Sequence, residues 1–300
     1  MNDDIKQKTL TITILGMPNA GKSTLLNKLV GQKISIVTPK VQTTRSTITG
    51  ILTCGLTQLV FIDTPGVFQP RKSLEKAMVR CAWSSVAGAD LILLIIDVTK
   101  KLDDKVLLII ERLVLRKLKF FIILNKIDYK KNLKSLYINN IQKMSLNTNI
   151  LETSAQKGTG VKELLDQMLA IAPTRPWMYN KEDITTVSTK FMTQEITREQ
   201  LFLTLHEELP YNITVETEKW ESLNDNSIKI HQVIIVNKVN HKTIILGKAG
   251  TKIKTISQNA RIAIQETFGF KVHLFLFVKI KPGWDQDPTF YENIGLKFVK

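Results

Sequence analysis

Cysteine is nearly absent from this chain of 300 residues: Cys54 and Cys81 are the only two. They form no C-x-x-C spacing, so neither a disulfide framework nor a zinc site is indicated, and both read as packing residues of a protein at home in a reducing cytoplasm. Histidine is almost as scarce, and His206, His231, His241 and His273 stand without metal-ligand spacing. No apolar run approaches the ~18 residues that a membrane-spanning helix needs. The N-terminus, Met1-Asn2-Asp3-Asp4-Ile5-Lys6, is polar and unlike the apolar core of a signal segment. Internal repeats and low-complexity stretches are also missing. Negative charge is in short supply: 42 Lys and Arg stand against 27 Asp and Glu, a net charge of +15. Such a balance points to an anionic partner, either nucleic acid or an acidic membrane surface.

The charge is unevenly spread. Residues 1–170 carry a net +12, residues 180–228 a net −6, and residues 229–281 a net +9, with ten basic residues against one acidic. A sharp switch from acidic to basic argues for a specific basic face near the C-terminus. From Thr9 to about Ala172, apolar strand-like runs alternate with amphipathic helices. Leu91 to Ile96 and Phe120 to Leu124 are continuous apolar runs, as expected of strands buried on both faces. The pattern predicts an α/β domain with a mostly parallel sheet over residues 1–172. Residues 173–180, with Pro173 and Pro176, predict a stiff linker. In residues 181–300 the order becomes α-β-β-α-α-β: a helix over 188–209, strands over 211–220 and 228–239, helices over 243–246 and 251–267, and a strand over 271–279. This second domain is α+β.

The stretch Gly16-Met17-Pro18-Asn19-Ala20-Gly21-Lys22-Ser23 fits G-x-x-x-x-G-K-[ST], a phosphate-binding loop. A strand-like run, Thr9 to Leu15, precedes it, and a helix-like run follows from Thr24, with Leu25, Leu26 and Leu29 on one face. Successive backbone N–H groups in such a loop converge on phosphate oxygens, and the helix N-terminus adds partial positive charge. Lys22 can reach the β- and γ-phosphates, and the Ser23 hydroxyl is placed to hold Mg²⁺. Forty residues on, Asp63-Thr64-Pro65-Gly66 ends another apolar strand. Asp63 is a second candidate Mg²⁺ ligand, and Gly66 lets its N–H approach a γ-phosphate. Between them, Gln42-Thr43-Thr44-Arg45 lies in a polar, basic stretch fit to be a switch loop. A threonine there can complete the metal shell, with Thr44 preferred and Thr43 the alternative. Lys22, Thr44 and Gly66 are thus the candidate catalytic groups.

Asn125-Lys126-Ile127-Asp128 follows the second buried strand. A carboxylate at Asp128 can accept from the ring N–H and the exocyclic amine of guanine, a donor pair that adenine lacks. Asn125 can tie neighbouring loops, and the stem of Lys126 can pack on the base. Ser154-Ala155-Gln156 follows a short strand, and the Ala155 N–H could donate to the guanine carbonyl. Near the C-terminus, Gly247-Lys248-Ala249-Gly250 sits between two helices, with Lys242, Lys252 and Lys254 around it. Its glycines allow a nucleic-acid backbone to approach, and the following helix offers its N-terminus to phosphate.

Taken together, these motifs resemble the GTPases of the translation-factor class, and the phosphate loop, Gln-Thr-Thr-Arg and Asp-Thr-Pro-Gly resemble the Era family closely. The C-terminal order with its Gly-x-x-Gly loop resembles a type II KH domain. The resemblance covers nearly the whole chain. It implies GTP hydrolysis, binding near the 3′ end of small-subunit (16S) ribosomal RNA, a part in 30S subunit assembly, and loose membrane association. Departures from the family pattern are Met17 and Ala20 in the phosphate loop and lysine second, as Lys248, in the KH loop. Small Ras-like enzymes orient the attacking water with a glutamine just after the D-x-x-G glycine. Val67 stands there in this chain, so slow intrinsic hydrolysis is expected. In related GTPases with Pro-Asn before the second glycine, the asparagine helps hold K⁺; Asn19 is the corresponding residue, and it can equally serve only to stabilise the loop.

Overall fold

In the computed structural model, residues 6–144, 148–206 and 209–299 are described. The polar start Met1–Ile5 lies outside them, as do the end of the helix expected to reach Leu146 and part of the helix expected to reach Leu209. The chain divides into two units. The first comprises Met1–Ser35 and Thr44–Thr186; the second comprises Ile36–Thr43 and Val187–Lys300.

The first unit alternates as its periodicity predicts. In chain order it holds β1 (Lys8–Gly16), α1 (Lys22–Val30), β2 (Ile48–Cys54), β3 (Thr57–Asp63), α2 (Ser73–Ser84), β4 (Leu91–Asp97), α3 (Asp104–Leu115), β5 (Phe120–Asn125), α4 (Lys134–Lys143), β6 (Ile150–Thr153) and α5 (Val161–Ala170). The sheet order is β2-β3-β1-β4-β5-β6. Only β2 and β3 pair antiparallel, across the tight turn at Gly55; the other neighbours are parallel. Every residue of β4 and β5 is buried, which is why both read as unbroken apolar runs. The apolar runs stop at polar residues. Asp63, Asp97, Asn125 and Thr153 are the last residues of β3, β4, β5 and β6, and all four are buried. Parallel strands therefore deliver four polar side chains to one edge of the sheet, where ligands bind in such folds. Residues 173–180 are bonded to this unit: the Arg175 guanidinium pairs with Asp90, and Gln58 Oε1 accepts from the Met178 and Tyr179 N–H groups at 2.9 and 3.0 Å.

The second unit holds α6 (Thr189–Thr204), β7 (Ile213–Ser222), β8 (Ile228–Val236), α7 (Val239–Leu246), α8 (Thr251–Phe268), β9 (Val272–Ile280) and α9 (Pro288–Asn293). Through β9 the order α-β-β-α-α-β is as read from sequence; the short helix α9 follows it and was not expected. The sheet runs β7-β8-β9, with β7 antiparallel and β9 parallel to β8. Residues 36–43 also belong here: Ile36 joins the core of Met192, Ile196, Ala260 and Ile264, and Val37 N–H donates to Glu199 Oε1 at 2.9 Å. Among the described residues no helix is long and apolar enough to cross a membrane.

Phe61, in β3, is fully buried. Phe61→Ala is expected to cost about 3–5 kcal/mol, read as a lower urea midpoint for the unfolding of the first unit.

Candidate functional site

The loop after β1 wraps onto the N-terminus of α1. Lys22 Nζ donates to the Gly16 and Met17 carbonyls at 3.2 and 3.0 Å. Burial lowers the Lys22 ammonium to about 8, with the Asp63 charge opposing the shift. Burial also pushes the Asp63 carboxyl above its usual range, against the pull of Lys22, Ser23 and Ser35. Asp63 Oδ2 accepts from Ser23 Oγ at 2.6 Å and from Ser35 Oγ at 3.3 Å. Ser23 Oγ lies 2.9 Å from Thr44 Oγ1. The side chains of Ser23, Thr44 and Asp63, 19 to 40 residues apart in sequence, thus meet at one point, with Ser35 beside them. Asp63 Oδ1 is buried with no hydrogen bond. A hard oxygen set with one uncommitted carboxylate oxygen fits Mg²⁺, which takes few protein ligands beside phosphate and water. Thr44, not Thr43, supplies the hydroxyl: Thr43 Oγ1 is turned to Thr38 Oγ1 at 2.7 Å and donates to the Lys40 carbonyl at 2.8 Å.

Asp63-Thr64-Pro65-Gly66 is held against the phosphate loop. Thr64 Oγ1 donates to the Ile14 carbonyl at 2.7 Å, and Val67 N–H to the Gly16 carbonyl at 3.0 Å. A Cβ on Gly66 would lie 2.8 Å from the backbone of Pro18, so only glycine admits this approach. Val67 is buried in the apolar core with Leu15 and Ile96, so its side chain cannot orient water.

The loops after β5 and β6 are joined to the phosphate loop by one side chain. Asn125 Nδ2 donates to the Ala20 carbonyl at 2.8 Å, and Asn125 Oδ1 accepts from Thr153 Oγ1 at 3.1 Å and from the Ala155 N–H at 2.9 Å. The Ala155 N–H, read from sequence as a donor to guanine, is therefore committed to Asn125: an amide oxygen in a buried site takes the nearest donor. Ser154 Oγ accepts from the Lys157 N–H at 3.1 Å, and Gln156 is exposed. Lys126 has a left-handed backbone, φ 70°, and Ile127 N–H donates to the Thr153 carbonyl at 3.3 Å. Asp128 is exposed at the end of this loop.

In the second unit, Gly247 has φ 72° and ψ 178°, and a Cβ there would meet Lys252 Cβ at 2.6 Å. Only glycine fits. Ala249 is left-handed, at φ 50°, and Gly250 caps α8. No side chain caps α8, and its first turn holds no acidic residue, so its N–H groups and Lys248, Lys252 and Lys254 offer unopposed positive charge. Lys242 lies on α7 before the loop. Beside this loop runs a groove of about 500 Å³ between α8 and β9, lined by Lys254, Ser257, Gln258, Arg261, Phe275 and Phe277 among others. Phe275 and Phe277 are 44% and 53% exposed, and His231 stacks on Phe275 with ring centroids 4.9 Å apart. Sequence reading missed these aromatics. Their signal was two phenylalanines at period two in a strand beside a basic helix, a pattern that a core strand also shows.

Asn125→Ala would leave the Ala155 N–H and the Ala20 carbonyl buried and unpaired. A loss of about 2–4 kcal/mol is expected, seen both as a lower melting temperature and as weaker guanine nucleotide binding by titration calorimetry.

Residues 11–126 match the family model of a 50S ribosome-binding GTPase, and residues 208–285 match that of a KH domain. Over 97% of its length the chain is 50% identical to GTPase Era of Rickettsia conorii, covering 86% of that protein. It is 51% identical to GTPase Era of Rickettsia typhi, over 97% of this chain and 98% of that one. Among solved structures, it is similar to a point variant of Aquifex aeolicus Era bound to GDP·AlF4⁻, with 34% identity, a TM-score of 0.90, and 96% and 99% of the two chains covered. An Era structure in complex with MgGDPNP and nucleotides 1506–1542 of 16S ribosomal RNA matches equally well, at 33% identity and a TM-score of 0.90 over the same shares of the two chains. With a phosphate loop, an oxygen cluster beneath it and a separate Gly-x-x-Gly unit, in a chain half identical to these relatives over nearly its whole length, this protein belongs to the Era family of GTPases.

Proposed function

We propose that this chain is a GTP-hydrolysing switch that binds 16S ribosomal RNA near its 3′ end and assists assembly of the 30S subunit. The observation that carries the enzymatic half is the meeting of Ser23, Thr44 and Asp63 beneath the phosphate loop. Ser23 and Thr44 would hold Mg²⁺ directly, with Asp63 ordering that shell. The ion, when bound, neutralises charge on the β- and γ-phosphates. Lys22 leaves its loop carbonyls to pair with the phosphates, and the Gly66 N–H donates to the γ-phosphate. Backbone N–H groups of residues 16 to 24, Pro18 excepted because it has none, cradle the α- and β-phosphates. Asp128 reads guanine, and Asn125, Lys126 and Ile127 hold the base, with Ser154, Ala155 and Gln156 closing its edge. Because Val67 is packed into the core, the attacking water is positioned by backbone or by a partner, and the intrinsic rate is slow.

The RNA half rests on the loop Gly247–Gly250 and the basic N-terminus of α8, and the relative solved with 16S nucleotides supports it. A cytoplasmic monomer is the simplest state in which these surfaces work. The net charge of +15 would also favour contact with an anionic membrane face.

Replacing Lys248 and Ala249 by Asp puts two carboxylates on the phosphate path. Lys248→Asp/Ala249→Asp is expected to abolish binding of a 16S 3′-end RNA in a filter assay and to leave intrinsic GTP hydrolysis near normal; full RNA affinity would remove this loop from the interface. Asn19, left-handed at φ 61°, is the residue we assign to K⁺. Hydrolysis should run faster in K⁺ than in Na⁺ at equal ionic strength, and Asn19→Ala should erase the difference. Equal rates in the two salts for the unaltered protein would leave Asn19 a purely structural residue.

A further inference from the structure

Asp97 ends β4, a strand whose other six residues are all apolar, and it is only 7% exposed. Placing a carboxylate there costs desolvation, yet its pKa is lowered: burial pushes it up, and Lys126 and Thr99 more than offset that push. Its two oxygens are used differently. Oδ1 accepts from the Thr99 N–H at 3.0 Å and from Thr99 Oγ1 at 2.6 Å, which closes the turn after the strand. Oδ2 accepts from Lys126 Nζ at 2.7 Å, with the exposed Lys100 ammonium more distant at 3.9 Å. A turn anchor needs only the first oxygen. The second reaches across to the neighbouring strand, where Asp97 is in register with Asn125.

Lys126 is thereby held at both ends. Its backbone sits in the left-handed region that non-glycine residues rarely adopt, and its ammonium is fixed by Asp97. Between these two fixed points lies the methylene stem, and the side chain is 28% exposed. A long side chain fixed in this way loses little rotamer freedom when a flat ring settles on it. The ends of β4 and β5 are further tied by Val98 N–H donating to the Asn125 carbonyl at 3.1 Å, so the anchor does not drift relative to the loop.

We propose that Asp97 is a positioning residue for guanine-nucleotide binding, acting through Lys126, whose stem it pre-organises as the floor for the base. The proposal rests on the reading of residues 125–128 as the guanine loop. Asp97→Asn keeps an oxygen for Thr99 and turns an amide toward the Lys126 ammonium. It should raise the dissociation constants for GDP and GTP equally, by about tenfold, through faster release, with turnover at saturating GTP within about twofold of normal. Thr99→Val loosens the turn but not the Lys126 contact, and should leave both constants within about twofold. In a Lys126→Ala background, Asp97→Asn should add nothing to the loss of affinity, whereas any loss in melting temperature from the turn should persist. Unchanged or tighter nucleotide binding by Asp97→Asn would overturn the proposal, as would equal effects in the two backgrounds. Asp128→Asn separates the two levels. If it fails to shift preference from guanine to xanthine nucleotides, the loop reading itself falls. If it does shift preference while Asp97→Asn binds normally, only the role of Asp97 falls.

Discussion

The amide of Asn125 holds the nucleotide side of this protein together. Through one carbonyl oxygen and one amino group it joins the phosphate loop, the end of β6 and the loop after β6. A buried amide can serve this purpose because each of its bonds satisfies a backbone or hydroxyl group that would otherwise be stranded. The geometry of the phosphate loop is thus set partly from a strand more than a hundred residues away in sequence.

The same economy governs the other strand ends. The sheet interior is built from apolar runs that need no partner beyond packing, and four of the parallel strands, β3, β4, β5 and β6, each deliver a polar residue to the same edge. Asp63 orders Ser23, Asp97 orders Lys126, and Thr153 bonds to Asn125. Burial makes these groups costly in isolation, so they occur in mutually satisfying sets. Lys22 and Asp63 show the tension most clearly: burial drives each toward its neutral form, and their mutual attraction resists it. Such a pair is ready for a ligand carrying its own charges.

In the second unit the working surface is made by backbone conformation rather than by buried charge. Three positive-φ positions within four residues, at Gly247, Ala249 and Gly250, turn the chain sharply into α8 and leave the helix N-terminus open. Lysines surround the turn, and the Phe275 and Phe277 rings lie along the same groove. Positive charge for phosphate and flat rings for bases are the two elements that single-stranded nucleic acid demands.

The sequence by itself determined the two-part organisation, the mostly parallel sheet of the first part, the order of helices and strands in the KH-like unit and every contiguous motif, because each of these is written in local periodicity or in a run of neighbouring residues. Gly16 to Ser23 and Gly247 to Gly250 are legible because the backbone of a short loop is fixed by its own glycines. What it could not determine is which distant group each polar atom meets. Thr43 and Thr44 are chemically identical neighbours, and only the path of the chain points one hydroxyl to Ser23 and the other to Thr38. The Ala155 N–H was open to guanine in sequence and is taken by Asn125 in space. Asp97 directly follows the apolar run Leu91 to Ile96, and nothing in that run tells that its second oxygen meets Lys126 across the sheet. Residues 36–43 read as part of one domain's loop, yet they pack with α6 of the second unit, where the buried Arg198 guanidinium donates to the Thr43 carbonyl. Periodicity reports which face of an element is buried; hydrogen bonds between residues a hundred positions apart form only after the sheet has fixed strand order and register, and so they were decided by tertiary structure alone.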